Sequence, residues 1–261
     1  MSRNITMAVV AICAFYSVIN CSCNSKKNVH RTIICFIDFS ETPKWEERIS
    51  DYTDVVNNSI IKNMGYNDKL IILPIDKQTT QNSTPIIVES LKKQLDYIPD
   101  GTSPLEEDNV AQKNLNVDIK KIGEEFNANM LTAKNARKDF HKGTDIVGAL
   151  TILNEKYYEA GQENIVIFLS DMMNWSDKLK MEEESFNANS IESSLTNSDL
   201  PNLSGKSMKI IVHQGDITNI GNEHFKIVKN FWSKYFDIYK IALVDYDSGG
   251  KTKLEEVMRT H

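Results

Sequence analysis

The chain has 261 residues, with 30 basic against 36 acidic side chains for a formal net charge of −6. That balance contains no dense Lys/Arg block to displace phosphate counterions, which argues against a nucleic-acid partner. A 41% hydrophobic and 25% charged composition supplies a real core, and the length suits one large α/β domain behind a leader.

The first twenty residues read as a signal peptide. Arg3 provides the positive start, Met7 to Ile19 is an apolar run broken only by Ser17, and Cys21-Ser22-Cys23 follows at once. The run is shorter than the roughly twenty apolar residues of a permanent span. Its end, Val18-Ile19-Asn20-Cys21, resembles a lipobox, which implies a diacylglycerol on Cys21. Asn20 departs from the small residue usual there, so Cys23, preceded by Ser22, competes for the lipid. An ordinary cleaved signal, or a short uncleaved anchor, with two incidental cysteines is the plainer alternative. Either way the mature chain is expected outside the cytoplasm; the lipidated reading anchors it in the cell envelope, in the periplasm or at the outer membrane, on a tether over residues 21–30. One domain is expected over 31–261. Within it Cys35 is the sole cysteine, so no disulfide framework exists, and its apolar surroundings suggest a small buried hydrophobe.

In chain order, Thr32 to Phe39, Lys69 to Ile75, Asn164 to Ser170, Met208 to His213 and Ile238 to Val244 are short apolar, β-branched runs, as expected of strands buried on both faces. Lys44 to Met64, Thr144 to Ala160 and Asn222 to Phe236 place apolar residues at spacings of three and four, as helices do. Strands alternating with helices predict an α/β fold: a Rossmann-like, mainly parallel sheet with helices on both faces. From Lys77 to His141 the chain is polar and carries Pro85, Pro99 and Pro104. This stretch reads as a helical insertion after the second strand, with one helix over Ile86 to Ile98 and a longer one over Glu106 to Lys138. Asn174 to Gly205 reads as a loop with short helices.

The chemistry gathers at strand ends, where ligands bind in open α/β sheets. The first strand runs into Asp38-Phe39-Ser40-Glu41-Thr42, Gly143-Thr144-Asp145 opens a helix, and the strand from Asn164 ends in Ser170-Asp171. Three sets of hard oxygen donors on one edge suit a small divalent cation such as Mg²⁺.

The arrangement resembles a von Willebrand factor type A domain with a metal-ion-dependent adhesion site. That family's Asp-x-Ser-x-Ser motif is matched by Asp38, Ser40 and Thr42, its helix-opening threonine by Thr144, and its later aspartate by Asp171. The resemblance implies that these five residues hold Mg²⁺ or Mn²⁺, and that an acidic group of a protein partner completes the coordination. Two departures stand out: Met172 replaces the glycine usual after Asp171, removing a tight glycine turn, and the short antiparallel edge strand usual after the second strand is displaced by the insertion.

Alternatives remain at each position. Ser40, Thr42 and Thr144 each suit a helix cap, and Trp232, Tyr235 and Phe236 at helical spacing read as core or lid packing. His213 reads as a hydrogen-bonded structural residue, and Asp245 and Asp247 as an acidic turn. A phosphatase of the haloacid dehalogenase type would use Asp38 as nucleophile, but it wants an acid two residues on, where Ser40 stands, and a hydroxyl is a poor proton carrier near neutral pH. No nucleophile elbow, His-Glu-x-x-His or phosphate loop occurs, so catalysis is not expected. A metal-free structural envelope lipoprotein is the other alternative.

Overall fold

The computed structural model describes residues 30–40, 44–137, 143–197, 199–215, 222–247 and 251–259. The signal peptide, both lipidation candidates and Thr42 lie outside them. The strands are β1 (Arg31–Asp38), β2 (Lys69–Ile75), β3 (Ile87–Ser90), β4 (Glu163–Leu169), β5 (Trp175–Ser176), β6 (Leu179–Lys180), β7 (Met208–His213) and β8 (Ala242–Asp247). The α-helices are α1 (Trp45–Val55), α2 (Glu107–Ala136), α3 (Ile146–Ile152), α4 (Ile191–Asn197), α5 (Asn222–Ile238) and α6 (Lys251–Arg259).

Six strands form one sheet in the order β3-β2-β1-β4-β7-β8, and only the β2–β3 pairing is antiparallel. The order reverses direction at β1, between β2 and β4, which makes the carboxyl ends of β1 and β4 a topological switch point. The expected α/β fold with a mainly parallel sheet is therefore observed.

Residue alternation along β1 sorts the core into two layers. Ile33, Cys35 and Ile37 face a cluster with Ile49, Tyr52 and Val55 of α1, Phe126 and Met130 of α2, and Leu254 and Met258 of α6. Ile34 and Phe36 face the opposite cluster, with Val147 and Leu150 of α3 and Phe231, Trp232 and Phe236 of α5. Because both faces are covered, every residue of β1 is buried, including its charged ends. Trp232, Tyr235 and Phe236 are accordingly core residues.

Three expectations are corrected. The Ile86 to Ile98 segment is not a helix: it enters the sheet as β3, pairing Ile72 with Ile87 through to Lys69 with Ser90, and ends in a 3₁₀ turn at Gln94–Tyr97. The antiparallel edge strand is thus present, and the insertion follows it as the single long helix α2. The β-branched pair Ile87-Val88 packs one side chain inward while Val88 is 48% exposed, as half-covered edge strands do. The last strand starts at Ala242 rather than Ile238, because α5 continues to Ile238 and the chain turns at Lys240 with φ 57. Within the 174–205 segment, β5 and β6 form a minimal hairpin that the composition does not announce.

Candidate functional site

Parallel pairing of β1 with β4, Ile37 opposite Leu169, sets Asp38 beside Ser170 where both strands end. Asp38 is fully buried. Its Oδ1 accepts from the Ser40 backbone N–H at 2.8 Å and its Oδ2 from Ser170 Oγ–H at 2.7 Å. Ser170 Oγ in turn accepts from the Met172 N–H at 2.9 Å, and Asp171 Oδ1 accepts from the Met173 N–H at 2.9 Å. The two strand ends are thereby laced into one rigid cluster of carboxylate and hydroxyl oxygens.

Met172 makes the turn at the position where the resemblance leads one to expect a glycine. Its φ is +61, the left-handed region that L-residues with a Cβ resist. Its side chain is completely buried, and its carbonyl accepts from Trp232 Nε1 at 2.8 Å. Packing and that hydrogen bond hold a non-glycine residue in a glycine conformation, so the tight turn exists despite the substitution.

Thr144 is 4% exposed. Its carbonyl accepts from the Trp175 N–H at 2.7 Å, in the loop leaving β4, and the adjacent Asp145 N–H donates to the Asp76 carbonyl just past β2 at 3.0 Å. The segment opening α3 is therefore fastened to the same sheet edge. The cap of α3 is Asp145, whose Oδ1 accepts from the Gly148 N–H at 2.8 Å, so capping is not the task of Thr144.

The residue that sequence reasoning missed is Arg48, in the first turns of α1. Its Nη2 donates to the Ser40 carbonyl and, at 3.3 Å, to Ser40 Oγ, and its Nη1 lies 3.9 Å from Asp171 Oδ2. Burial works to lower the guanidinium, but Asp38 first, then Tyr52 and Asp171, outweigh it and raise it above its ordinary value. Its charge is held firmly. Asp171 moves the other way from a usual carboxylate: burial, then the charge of Asp38, push it up to about 6 against the opposing pull of Arg48 and the Met173 N–H. The Asp171 side chain is 15% exposed and so sits at the mouth of the cluster. A signal for Arg48 does exist in the sequence: a cation near the start of a helix opposes the macrodipole, so something outside the helix must hold it.

Polar atoms without partners also concentrate here. Of seven buried side-chain atoms lacking a hydrogen bond among the described residues, five belong to Arg48 (Nε), His213 (Nδ1), Gln214 (both amide atoms) and Tyr246 (Oη). The Tyr246 hydroxyl and the Gln214 side chain lie beside one another. Folded interiors leave few such atoms, and these five lie together at the carboxyl edge of the sheet. His213 Nε2 lies 3.4 Å from Asp51 Oδ2, as a structural histidine would. Among the described residues no group of three or more His, Cys, Asp or Glu is close enough to hold a metal; an ion here would rest on two carboxylates supplemented by hydroxyl oxygens.

No protein-family model matches the chain, and no curated protein sequence matches it. Solved structures similar to it include a von Willebrand factor type A from Catenulispora acidiphila, at 9% identity and a TM-score of 0.41, and a human COPII-coat protein, at 10% identity and a TM-score of 0.37. Each alignment covers 88% of this chain, but only 41% of the first structure and 32% of the second. The chain therefore spans less than half the length of either.

Proposed function

We propose that the chain is a binding protein of the cell envelope, lipid-anchored through Cys21 or Cys23, that holds an acidic group of a protein partner through a divalent cation at the carboxyl edge of its sheet. The observation that carries this reading is the buried oxygen cluster of Asp38, Ser40, Ser170 and Asp171 with a positive charge already seated against it. The donor set fits Mg²⁺ or Mn²⁺, which favour hard oxygen ligands and keep several waters. Ser40, Asp38, Asp171 and Thr144 would hold the ion directly or through water, and Thr42 would join them by the motif. When bound, the ion supplies a desolvated positive charge that attracts a carboxylate. Asp38 and Ser170 fix the cluster, while the loops around it supply specificity.

A catalytic reading gains no support from these residues. The position two after Asp38 is Ser40, whose hydroxyl oxygen accepts from Arg48 Nη2 and which, as an alcohol, is a poor proton carrier near neutral pH.

Calorimetric titration of the full-length chain with Mg²⁺ and Mn²⁺ tests the proposal. Saturable binding is expected in the parent and a loss of at least tenfold in affinity in Asp38→Ala and Thr144→Ala, with circular dichroism unchanged. Absence of binding in a folded parent would leave a metal-free structural lipoprotein.

A further inference from the structure

The oxygen atoms that a cation needs are not idle. Asp38 Oδ1 and Oδ2 accept from the Ser40 N–H and Ser170 Oγ–H, and Asp171 Oδ1 accepts from the Met173 N–H. Ser40 Oγ and Asp171 Oδ2 both face the Arg48 guanidinium, at 3.3 and 3.9 Å, and its Nη2 also donates to the Ser40 carbonyl.

We propose that Arg48 is a tethered cation which competes with the divalent ion for this cluster, so that metal entry and withdrawal of the guanidinium are one exchange. The proposal rests on the metal reading above and adds to it a regulating residue. Charge counting supports an exchange. Two carboxylates with one guanidinium leave a net −1, two carboxylates with a divalent ion are neutral, and both cations together leave an uncompensated +1 in a largely buried space, where such a residue of charge is costly.

The seat of Arg48 also has the marks of an exchangeable one. Its Nε is buried without a partner, and its contact with Asp171 is long, whereas a guanidinium placed for permanent pairing usually makes a bidentate fork at normal hydrogen-bond distance. Arg31 at the opposite end of β1 makes such a fork with Asp68. Arg48 instead stands on the first turns of α1, with its side chain 11% exposed. In the free protein it offsets half of the cluster's negative charge; with metal present it is released at the rim, where it adds a second positive charge for an acidic partner.

The test is Mn²⁺ titration of the full-length parent and of Arg48→Met, which keeps the stem and removes the charge. Arg48→Met is expected to bind Mn²⁺ at least tenfold more tightly than the parent. Without metal it is expected to melt at a lower temperature than the parent, and to gain more on addition of Mn²⁺. If Arg48→Met does not fold without metal, Arg48→Gln, which retains donors but no charge, is read for the same ordering. Equal or weaker Mn²⁺ affinity in a folded variant, with binding intact in the parent, overturns the exchange and leaves the metal reading standing. Failure of parent and variant alike to bind Mn²⁺ overturns both.

Discussion

Met172 stores strain that its neighbours hold in place. A left-handed φ costs a residue with a Cβ roughly 1–2 kcal/mol, whereas truncating a buried methionine to alanine removes about 2–5 kcal/mol of packing. Both replacements by small residues should therefore destabilise, but in an unusual order. Met172→Gly loses the packing and relieves the strain; Met172→Ala loses the packing and keeps it. We expect the glycine variant to be the more stable of the two by about 1 kcal/mol, read from urea midpoints. Alanine proving the better residue would mean that the turn relaxes away from φ +61 once the side chain is gone. The same residue shows what the sequence leaves hidden at this site. Asp38 and Asp171 stand at the ends of two adjacent strands, so the parallel sheet expected from the apolar runs is enough to bring them and Ser40 together. Met172 was misjudged because its conformation is imposed by Trp232, sixty residues away. Arg48 was missed for the complementary reason, since its partners come from the ends of β1 and β4 rather than from its own helix.

At the scale of elements, strands buried on both faces were the most readable feature, since continuous runs such as KLIILPI tolerate no other placement. The edge strand β3 was read as helix because its four residues carry too little pattern to outweigh the amphipathic spacing around them. Far from the site, a short turn joins the amino ends of three elements: Glu159, just before β4, accepts from Lys69 Nζ at the start of β2 and from Thr32 Oγ1 of β1. Burial works to raise its carboxyl, but Lys69 and the Thr32 hydroxyl prevail and hold it below the ordinary value. A carboxyl depressed in the folded state contributes stability that is fully present above its unfolded pKa and is lost as pH falls through the folded one. Glu159→Gln should therefore lower the melting temperature slightly at pH 7, with the difference from the parent shrinking to nothing well below the ordinary glutamate range. The effect is small because Glu159 and Lys69 are each about 30% exposed, where solvent screens the pair. A difference that persists unchanged into acid would assign the contribution to packing instead.

Across the whole molecule, β1 carries a buried charge at each end, and the two ends are built differently. At the amino end, Arg31 and Asp68 are each 1% exposed; Arg31 Nε donates to Asp68 Oδ1 at 2.9 Å, Nη2 to Oδ2, and Nη1 to the Met258 carbonyl of α6 at 2.8 Å. Asp68 Oδ2 also accepts from the Gly65 N–H at 2.7 Å. That network ties the first strand, the turn before the second and the last helix, so nearly the full length of the described chain closes on one ion pair. Removing one partner of such a pair strands the other charge in the interior, a loss of about 3–5 kcal/mol. Arg31→Met should therefore lower the unfolding free energy by that order in urea titrations, while Mn²⁺ affinity at the opposite edge stays as in the parent. On the proposed exchange, Arg48→Met should by contrast alter metal affinity and lose less stability in the presence of Mn²⁺, where the ion would stand in for its charge. If Arg31→Met changed metal affinity as strongly as stability, the two ends of β1 would form one coupled unit, and the assignment of structural charge to one end and exchangeable charge to the other would fail.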